Sequence, residues 1–367
     1  MILDAFSRAW NDHQVVIVTG GLGPTHDDVT RRAVVEFFGT DLVEDAGVLE
    51  DIERLLRNRG RSLSPVHAGQ ALVPRGAAII RNPLGTAPGF LFEREGKIFC
   101  ALPGVPHEMM AMVDPTLISY LSGRSGRVVR SLTLRTTGIV ESALAEALGD
   151  PEQIAGGGTL AFLPSSRGVR LRVTVAAKDE ADAQERLRAA RDRIRSRAGE
   201  YIYAEGEVEL EEVVGRELAA RGETIAVAES CTGGLVAHRL TNIAGSSRYF
   251  MQGVVTYSDE SKIRQLGVPG GIIERNGAVS EETARVMAER IRILAGTTYG
   301  LSTTGIAGPG GATPDKPVGL VWIGFSRSGD TRAFGYRFGE QRRVNKERAA
   351  QTAIDILRRI LLGLPVK

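Results

Sequence analysis

Three times along this chain a short β-branched or apolar run empties into a glycine-rich turn. Val15-Val16-Ile17-Val18 enters Thr19-Gly20-Gly21-Leu22-Gly23-Pro24, and Thr224–Ala228 enters Glu229-Ser230-Cys231-Thr232-Gly233-Gly234. Tyr299–Thr304 enters Gly305-Ile306-Ala307-Gly308-Pro309-Gly310-Gly311. The first two turns lead straight into helical stretches, one opened by Asp27-Asp28-Val29-Thr30 and the other covering Leu235–Ile243. Strand, glycine turn, helix is the grammar of a doubly wound α/β sheet, whose site lies at the carboxyl ends of the strands.

At roughly 100–200 residues per domain, 367 residues make two or three domains. Residues 1–122 form the first α/β unit. It has a second helix from about Asp45 to Asn58 and a hairpin through Glu95-Gly96. That hairpin's second strand, Ile98–Leu102, runs into Pro103-Gly104-Val105-Pro106 and a helix through Met112. Residues 123–206 are different in texture: an alternating strand at Val128–Thr136, a short helix at Glu141–Leu148, an Arg-rich strand at Gly168–Ala176 and a charged helix at Asp179–Arg197. This reads as a small α+β connector. Its last helix carries six arginines between 186 and 197, read either as a solvated face with i,i+4 pairs or as an RNA-binding surface. Residues 207–367 are a third, α/β unit. In it a strand at Val254–Tyr257 precedes a helix carrying Lys262, Ser280 caps a further helix, and Arg343–Leu362 closes the chain.

Composition narrows the function classes. Hydrophobic residues at 43% and charged residues at 25% fit a globular protein and exclude global disorder or a fibrous architecture. No uncharged apolar run approaches the ~18–20 residues of a membrane helix, and the N-terminus lacks the features of a signal peptide. The cytoplasm is the expected location. A net charge of +2 supplies no global field toward nucleic acid or membrane, so neither is an expected partner. Two cysteines, Cys100 and Cys231, exclude a disulfide scaffold and a Cys-rich zinc site. Only six of the 46 basic residues are lysine, so a lysine such as Lys262 can mark a place where a proton must be lost.

Ser230 sits on a strand-to-helix turn before two glycines, where backbone N–H groups can approach a ligand. It reads as a helix N-cap or as a nucleophile. A nucleophilic serine needs a base. His238 lies two turns into the same helix, too far along, and Lys262 is the alternative, as in Ser-Lys hydrolases. A lysine that acts as base near neutral pH must have its pKa brought from about 10.4 to about 7–8; otherwise Lys262 is a surface residue. Tyr257, five residues earlier, relays the proton or holds the ammonium. Cys231 reads as a competing nucleophile or as a small buried thiol. The loop after Thr303-Thr304 has no Walker pattern and reads as a ligand-facing wall. In the first unit, Gly20, Gly21 and Gly23 fail the dinucleotide fingerprint, since His26 stands at the third glycine's place. A phosphate nest is the remaining reading, with Asp27 and Asp28 capping the helix or binding a divalent cation. Pro103 and Gly104 face the same edge.

With these motifs in hand, the chain resembles the CinA family of competence/damage-inducible proteins. The resemblance rests on Thr19–Thr25 with Asp27-Asp28, on Ala228–Gly234 and on Thr303–Gly311. Asn82-Pro83-Leu84-Gly85-Thr86-Ala87-Pro88-Gly89 and Leu102–Pro106 add to it. The resemblance implies three modules. The first is similar to molybdopterin-binding domains of the MoaB/MogA type, linked in the family to metal-dependent hydrolysis of ADP-ribose. The second is a KH-like connector; no basic Gly-x-x-Gly clamp is present, so RNA binding is not expected. The third is similar to nicotinamide-nucleotide amidohydrolase, which converts nicotinamide mononucleotide to nicotinate mononucleotide and ammonia in pyridine nucleotide salvage.

The resemblance assigns the catalytic roles to Ser230, Tyr257 and Lys262. Thr232, Gly233 and Gly234, with Thr304 and Gly305, are the expected substrate-binding residues. Backbone N–H groups near Cys231–Gly234 are candidate oxyanion or phosphate donors. No metal or cofactor is needed for that step, whereas a divalent metal at Asp27 and Asp28 is the expectation for the first module. A metal-dependent ADP-ribose pyrophosphatase, or a non-enzymatic pterin- or nucleotide-binding protein, is the alternative function, and a homodimer is expected from the family. One departure stands out. Family members begin with a further strand and a Gly-Thr-Glu-Leu-type loop, on the order of 50 residues ahead of Val15, about a third of a typical domain. As written, the first module is truncated. It is expected to hydrolyse ADP-ribose weakly or not at all, and to expose an apolar sheet edge near residues 15–18.

Overall fold

The computed structural model describes residues 1–25, 27–123 and 127–366; His26, at the failed fingerprint position, lies outside the described residues. The chain divides into two compact units, Met1–Arg127 and Val128–Lys367.

The first unit is built on β1 (Val15–Thr19), a small antiparallel pair β2 (Leu42–Glu44) and β3 (Leu72–Pro74), then β4 (Ala78–Ile80), β5 (Gly89–Arg94) and β6 (Lys97–Leu102). The main sheet runs β1-β6-β5-β4. β1 and β6 are parallel, from Val15 opposite Ile98 to Thr19 opposite Leu102. The β6–β5 and β5–β4 pairs are antiparallel. The doubly wound grammar is thus realised as a mixed sheet: the Glu95-Gly96 turn folds β6 straight back beside β5, and only β1 needs a crossover. β1 forms one edge. Val16 turns into the core, while Val15 and Ile17 are 39% and 49% exposed, the apolar edge expected there.

The opening residues form a helix, Ile2–Asp12, that the sequence reading did not anticipate. Leu3, Phe6, Ala9 and Trp10 recur at helical spacing and pack on the sheet. Phe6 meets Phe99 edge-on at 5.0 Å, and Phe38 stacks on Phe92 at 4.1 Å. This aromatic cluster is the centre of the unit.

The second unit contains two sheets. The first is antiparallel, in the order β10-β7-β9-β8, from β7 (Val128–Thr136), β8 (Thr159–Ser165), β9 (Gly168–Ala177) and β10 (Ile202–Glu205). Along β9 the alternation is plain: Val169, Leu171, Val173 and Val175 are buried and Arg170 and Arg172 exposed. The helix Glu180–Ala198 covers this face with Ala183, Leu187, Ala190, Ile194 and Ala198. Its arginines do not form the expected ladder of i,i+4 ion pairs. Arg186 donates to Ala176 and Gly156 carbonyls, Arg193 to Ile154 and Arg197 to Leu148, so the guanidinium forks tie the helix to its neighbours.

The second sheet runs β12-β11-β13-β14-β15, from β11 (Ile225–Glu229), β12 (Phe250–Val255), β13 (Tyr299–Gly305), β14 (Leu320–Arg327) and β15 (Asp330–Arg337). β11 is parallel to both neighbours and buried at every residue. Ile225 and Val227 face the cluster that includes the helices Leu210–Arg221 and Arg342–Leu361; Ala226 and Ala228 face Met287 and Ile291 of the helix Glu281–Ala295. The connection from β11 to β12 passes on the first face through Leu235–Thr241, and that from β12 to β13 on the second through Glu281–Ala295. The first crossover leaves the carboxyl end of β11 for β12, and the second returns across the opposite face to β13, on the other side of β11. The carboxyl end of β11 is the switch point where an open α/β sheet leaves a crevice, and Ser230 is the next residue.

Candidate active site

Glu229 ends β11 with a buried carboxylate, and its oxygens accept from the N–H groups of Gly234 (2.9 Å), Val236 (3.1 Å) and Ala237 (2.8 Å). This acid, not Ser230, caps the helix Leu235–Thr241. The path back to the helix needs tight reversals at Gly233 (φ +61°) and Gly234 (φ +93°), which glycine makes without steric cost. Ser230 N–H donates to the Thr303 carbonyl of β13 (2.9 Å), and the Thr232 and Thr303 hydroxyls pair at 2.6 Å. The turn is therefore pinned from both sides, and the serine side chain is spared from capping.

Lys262 reaches that side chain from the helix Asp259–Leu266. Its Nζ lies 3.3 Å from Ser230 Oγ, 3.1 Å from the Thr256 carbonyl and 3.2 Å from the Tyr257 carbonyl. The amine is 1% exposed, and among the described residues the one carboxylate paired with it, that of exposed Asp259, is 3.9 Å away. Burial lowers the Lys262 pKa below the ordinary lysine value, opposed by Asp259 and by Cys231. Of the three neighbours of Nζ, two are carbonyls that only accept; the hydroxyl alone has a proton to give. In the neutral form the amine would give its two N–H donors to the Thr256 and Tyr257 carbonyls and turn its lone pair to Ser230 Oγ.

The Tyr257 phenol is placed elsewhere. The residue lies just past the end of β12, is 58% exposed, and its hydroxyl accepts from Arg342 Nη2 at 2.8 Å. Arg342 Nη1 also donates to the Gly308 carbonyl (2.9 Å), and Asn345 donates to the Ala307 and Gly339 carbonyls. The third glycine loop is thus clamped onto the closing helix. Glu229, Arg342 and Asn345 escaped the sequence reading. Glu229 carried a signal, an acid ending a fully apolar strand just before two glycines, whereas Arg342 was one of many arginines.

Thr232, Gly233 and Gly234 line a cleft of about 330 Å³ with Arg343 and Lys346 of the closing helix. Gly233 and Gly234 have N–H groups already engaged, by the Ser230 carbonyl and by Glu229. Of the candidate donors, those of Cys231 and Thr232 are the ones this network leaves. Thr304 donates its hydroxyl to the Ala278 carbonyl (2.6 Å), and Gly305 packs so closely on β14 that a Cβ would sit 2.7 Å from the Leu320 carbonyl oxygen. Both brace the sheet end. Cys231 is buried, which pushes its thiol up to about 12 and away from thiolate chemistry. His238 is paired with Asn242 on its own helix.

In the first unit, Gly20, Gly21 and Gly23 lie where β1 ends, and a Cβ on Gly104 would stand 3.0 Å from Gly20 Cα. The turn and the Pro103-Gly104 loop therefore share one edge, as expected. Asp28 accepts from Thr25 N–H (2.8 Å) and Thr25 Oγ1 (2.6 Å), the hydroxyl bond being the main cause of its lowered pKa. Asp27 is exposed. Among the described residues no three Asp, Glu, His or Cys side chains gather as a metal site. Of the described residues, Asp27 and Asp28 by themselves do not make a cation cradle. Among the described residues no helix is long and apolar enough to cross a membrane.

Comparison with known proteins agrees with the motifs. Residues 207–361 match the CinA C-terminal domain, 131–204 the damage-inducible protein CinA KH domain, and 1–123 a probable molybdopterin binding domain. A CinA-like protein of Salinibacter ruber is 45% identical over 363 residues, 98% of this chain and 88% of that protein. The chain belongs to the CinA family. A CinA-like protein of Gemmatimonas aurantiaca is 46% identical over 98% of this chain and 85% of its own length. A solved CinA superfamily protein from Klebsiella pneumoniae shares 34% identity over 42% of this chain and 96% of that one, with a TM-score of 0.41. Within this CinA-family chain, the Ser230–Lys262 pair lies in the stretch matched to the CinA C-terminal domain.

Proposed function

We propose that this chain hydrolyses the carboxamide of nicotinamide mononucleotide, giving nicotinate mononucleotide and ammonia. The observation that carries the reading is a buried, carboxylate-poor amine 3.3 Å from a serine hydroxyl at the switch point of an α/β sheet. The substrate class follows from the resemblance of the third module to nicotinamide-nucleotide amidohydrolase; the pair supports the chemistry.

Ser230 Oγ attacks the carboxamide carbon as its proton passes to neutral Lys262. The tetrahedral intermediate collapses, the C–N bond breaks, and Lys262 returns the proton to the leaving nitrogen so that it departs as ammonia. Water then attacks the ester: Lys262 takes its proton and hands it to Ser230 Oγ, and nicotinate mononucleotide leaves. Backbone N–H groups at Cys231–Thr232, just after the nucleophile, are the candidate donors to the oxyanion. Arg343 and Lys346 beside Gly233 supply positive charge for the substrate phosphate. Tyr257 contributes its carbonyl to hold the amine, while its phenol, fixed by Arg342, borders the site.

Ammonia release by the purified full chain tests this. Ser230→Ala and Lys262→Ala are each expected to lower the rate by about 10²–10⁴-fold. Wild-type rates in both variants would refute the mechanism, and no ammonia from the wild type would refute the reaction.

A further inference from the structure

A second cavity of this unit lies away from Ser230. It holds about 530 Å³ and lies between the β7–β10 sheet and the closing helix. That volume is within the ~300–1,000 Å³ range of small-molecule sites. Four segments wall it: the chain after β7 (Thr137–Glu141), the β8–β9 turn, the end of β15, and the helix Arg342–Leu361.

Most charges on the walls are paired; Glu141, exposed after β7, is the lining carboxylate for which no ion pair is found among the described residues. Buried Gln351 donates to Thr137 Oγ1 (3.0 Å), tying the helix to the end of β7. Asp355 pairs with Arg358 (2.7 Å) and Arg359 (3.0 Å). Arg167 pairs with Glu347 at 3.3 Å. Gly138, at φ +74°, comes so close that a Cβ would lie 3.0 Å from Asp355 Oδ2. Two lining guanidinium groups remain, Arg337 and Arg348. Both are exposed, and no acidic partner is found for either among the described residues. Beside them Tyr336 and Phe338 present parallel rings with centroids 6.1 Å apart.

We infer that this cavity binds a small molecule joining an aromatic ring to a phosphate, of the nucleoside monophosphate class. The two guanidinium groups match a phosphate dianion in charge, and each carries the forked N–H donors that phosphate oxygens accept. The parallel rings offer a stacking face, and the volume suits one base, one sugar and one phosphate. The inference stands apart from the proposed amidase chemistry, since none of these residues touches Ser230 or Lys262.

Calorimetric titration of the full chain with AMP tests it, in wild type and in a Lys262→Ala background. Arg337→Glu with Arg348→Glu is expected to weaken AMP binding at least tenfold in both backgrounds and to leave ammonia release within about twofold. Arg337→Gln with Arg348→Gln, which keeps size and removes charge, should weaken AMP in the same direction. Adenosine and ribose 5-phosphate should each bind at least tenfold more weakly than AMP. The inference is overturned if wild type does not bind AMP, if the double variants bind it unchanged, or if adenosine binds equally well. It is also overturned if Lys262→Ala alone removes AMP binding, since the ligand would then sit at the amidase site.

Discussion

Two of the glycine turns, one in each unit, carry the chain from a parallel strand towards a helix, and their acids are used differently. At Gly20–Gly23 the acid that follows, Asp28, lies near the surface and is occupied by Thr25 next door. At Ser230–Gly234 the acid that precedes, Glu229, is buried and takes up three N–H groups of the helix start. The second arrangement frees the serine from capping and leaves it for the one amine that a separate helix brings in. What separates the two turns is therefore the side chain delivered to one of them from elsewhere, Lys262 at Ser230, not the glycine spacing.

The sharpest way to break this contrast is to keep the charge of that amine and remove its ability to be neutral. Lys262→Arg retains a cation but cannot deprotonate near neutral pH. Ammonia release is expected to fall about 10²–10⁴-fold, as for loss of a general base. If the arginine variant works within tenfold of wild type, a fixed charge is all the site needs and the contrast between the turns collapses.

The next effect is on the fold. Glu229→Ala leaves the N–H groups of Val236 and Ala237 without their buried acceptor. Charged hydrogen bonds of this kind contribute about 1.5–3 kcal/mol each, so a loss of about 3 kcal/mol or more is expected. Amide exchange at Val236 and Ala237 should accelerate by roughly two orders of magnitude. The matching Asp28→Ala change should cost no more than about 1 kcal/mol, since water replaces a carboxylate that lies near the surface. Equal costs would show that the two acids play the same part.

How much of this was legible beforehand follows the range of the interactions. Ser230 and Lys262 were readable because each has a local signal: a turn before two glycines, and a rare lysine in an arginine-rich chain. The alternation of β9 and the capping of the helix Glu281–Ala295 by Ser280 are local too. The Asp179–Arg197 helix was legible in place but not in its contacts, because the partners of its arginines are carbonyls far along the chain. The helix Ile2–Asp12 was missed because the N-terminus was weighed only as a targeting signal. At Thr304 a hydroxyl at a strand end reads as a ligand contact, and only the fold shows that its proton goes to the Ala278 carbonyl.

Titration gives a smaller but signed test. Lys262 has its pKa lowered by burial, so activity that needs the neutral amine should rise with pH and level off below about 10.4. Stability moves the same way. Between the lowered folded value and the unfolded value, the unfolded chain holds a proton that the folded chain lacks, so wild type gains stability as pH rises. Relative to Lys262→Met, which cannot titrate, its melting temperature should climb as pH is raised toward about 10. A flat difference would mean that the amine titrates as a solvent-exposed group.

The smallest expected effect concerns Tyr257. The geometry ties the amine to the Tyr257 carbonyl, which Tyr257→Phe preserves, and gives the phenol to Arg342. The variant should therefore lose about tenfold or less, mostly in KM, because what changes is the rim and the hold on Arg342. A loss comparable to that of Lys262→Arg, confined to kcat, would assign the proton relay to the phenol and move it from the border of the site to its centre. Arg342→Gln separates the two cases. If the phenol acts only through its tie to Arg342, the glutamine variant reproduces the Tyr257→Phe change in KM, and combining the two substitutions adds little more.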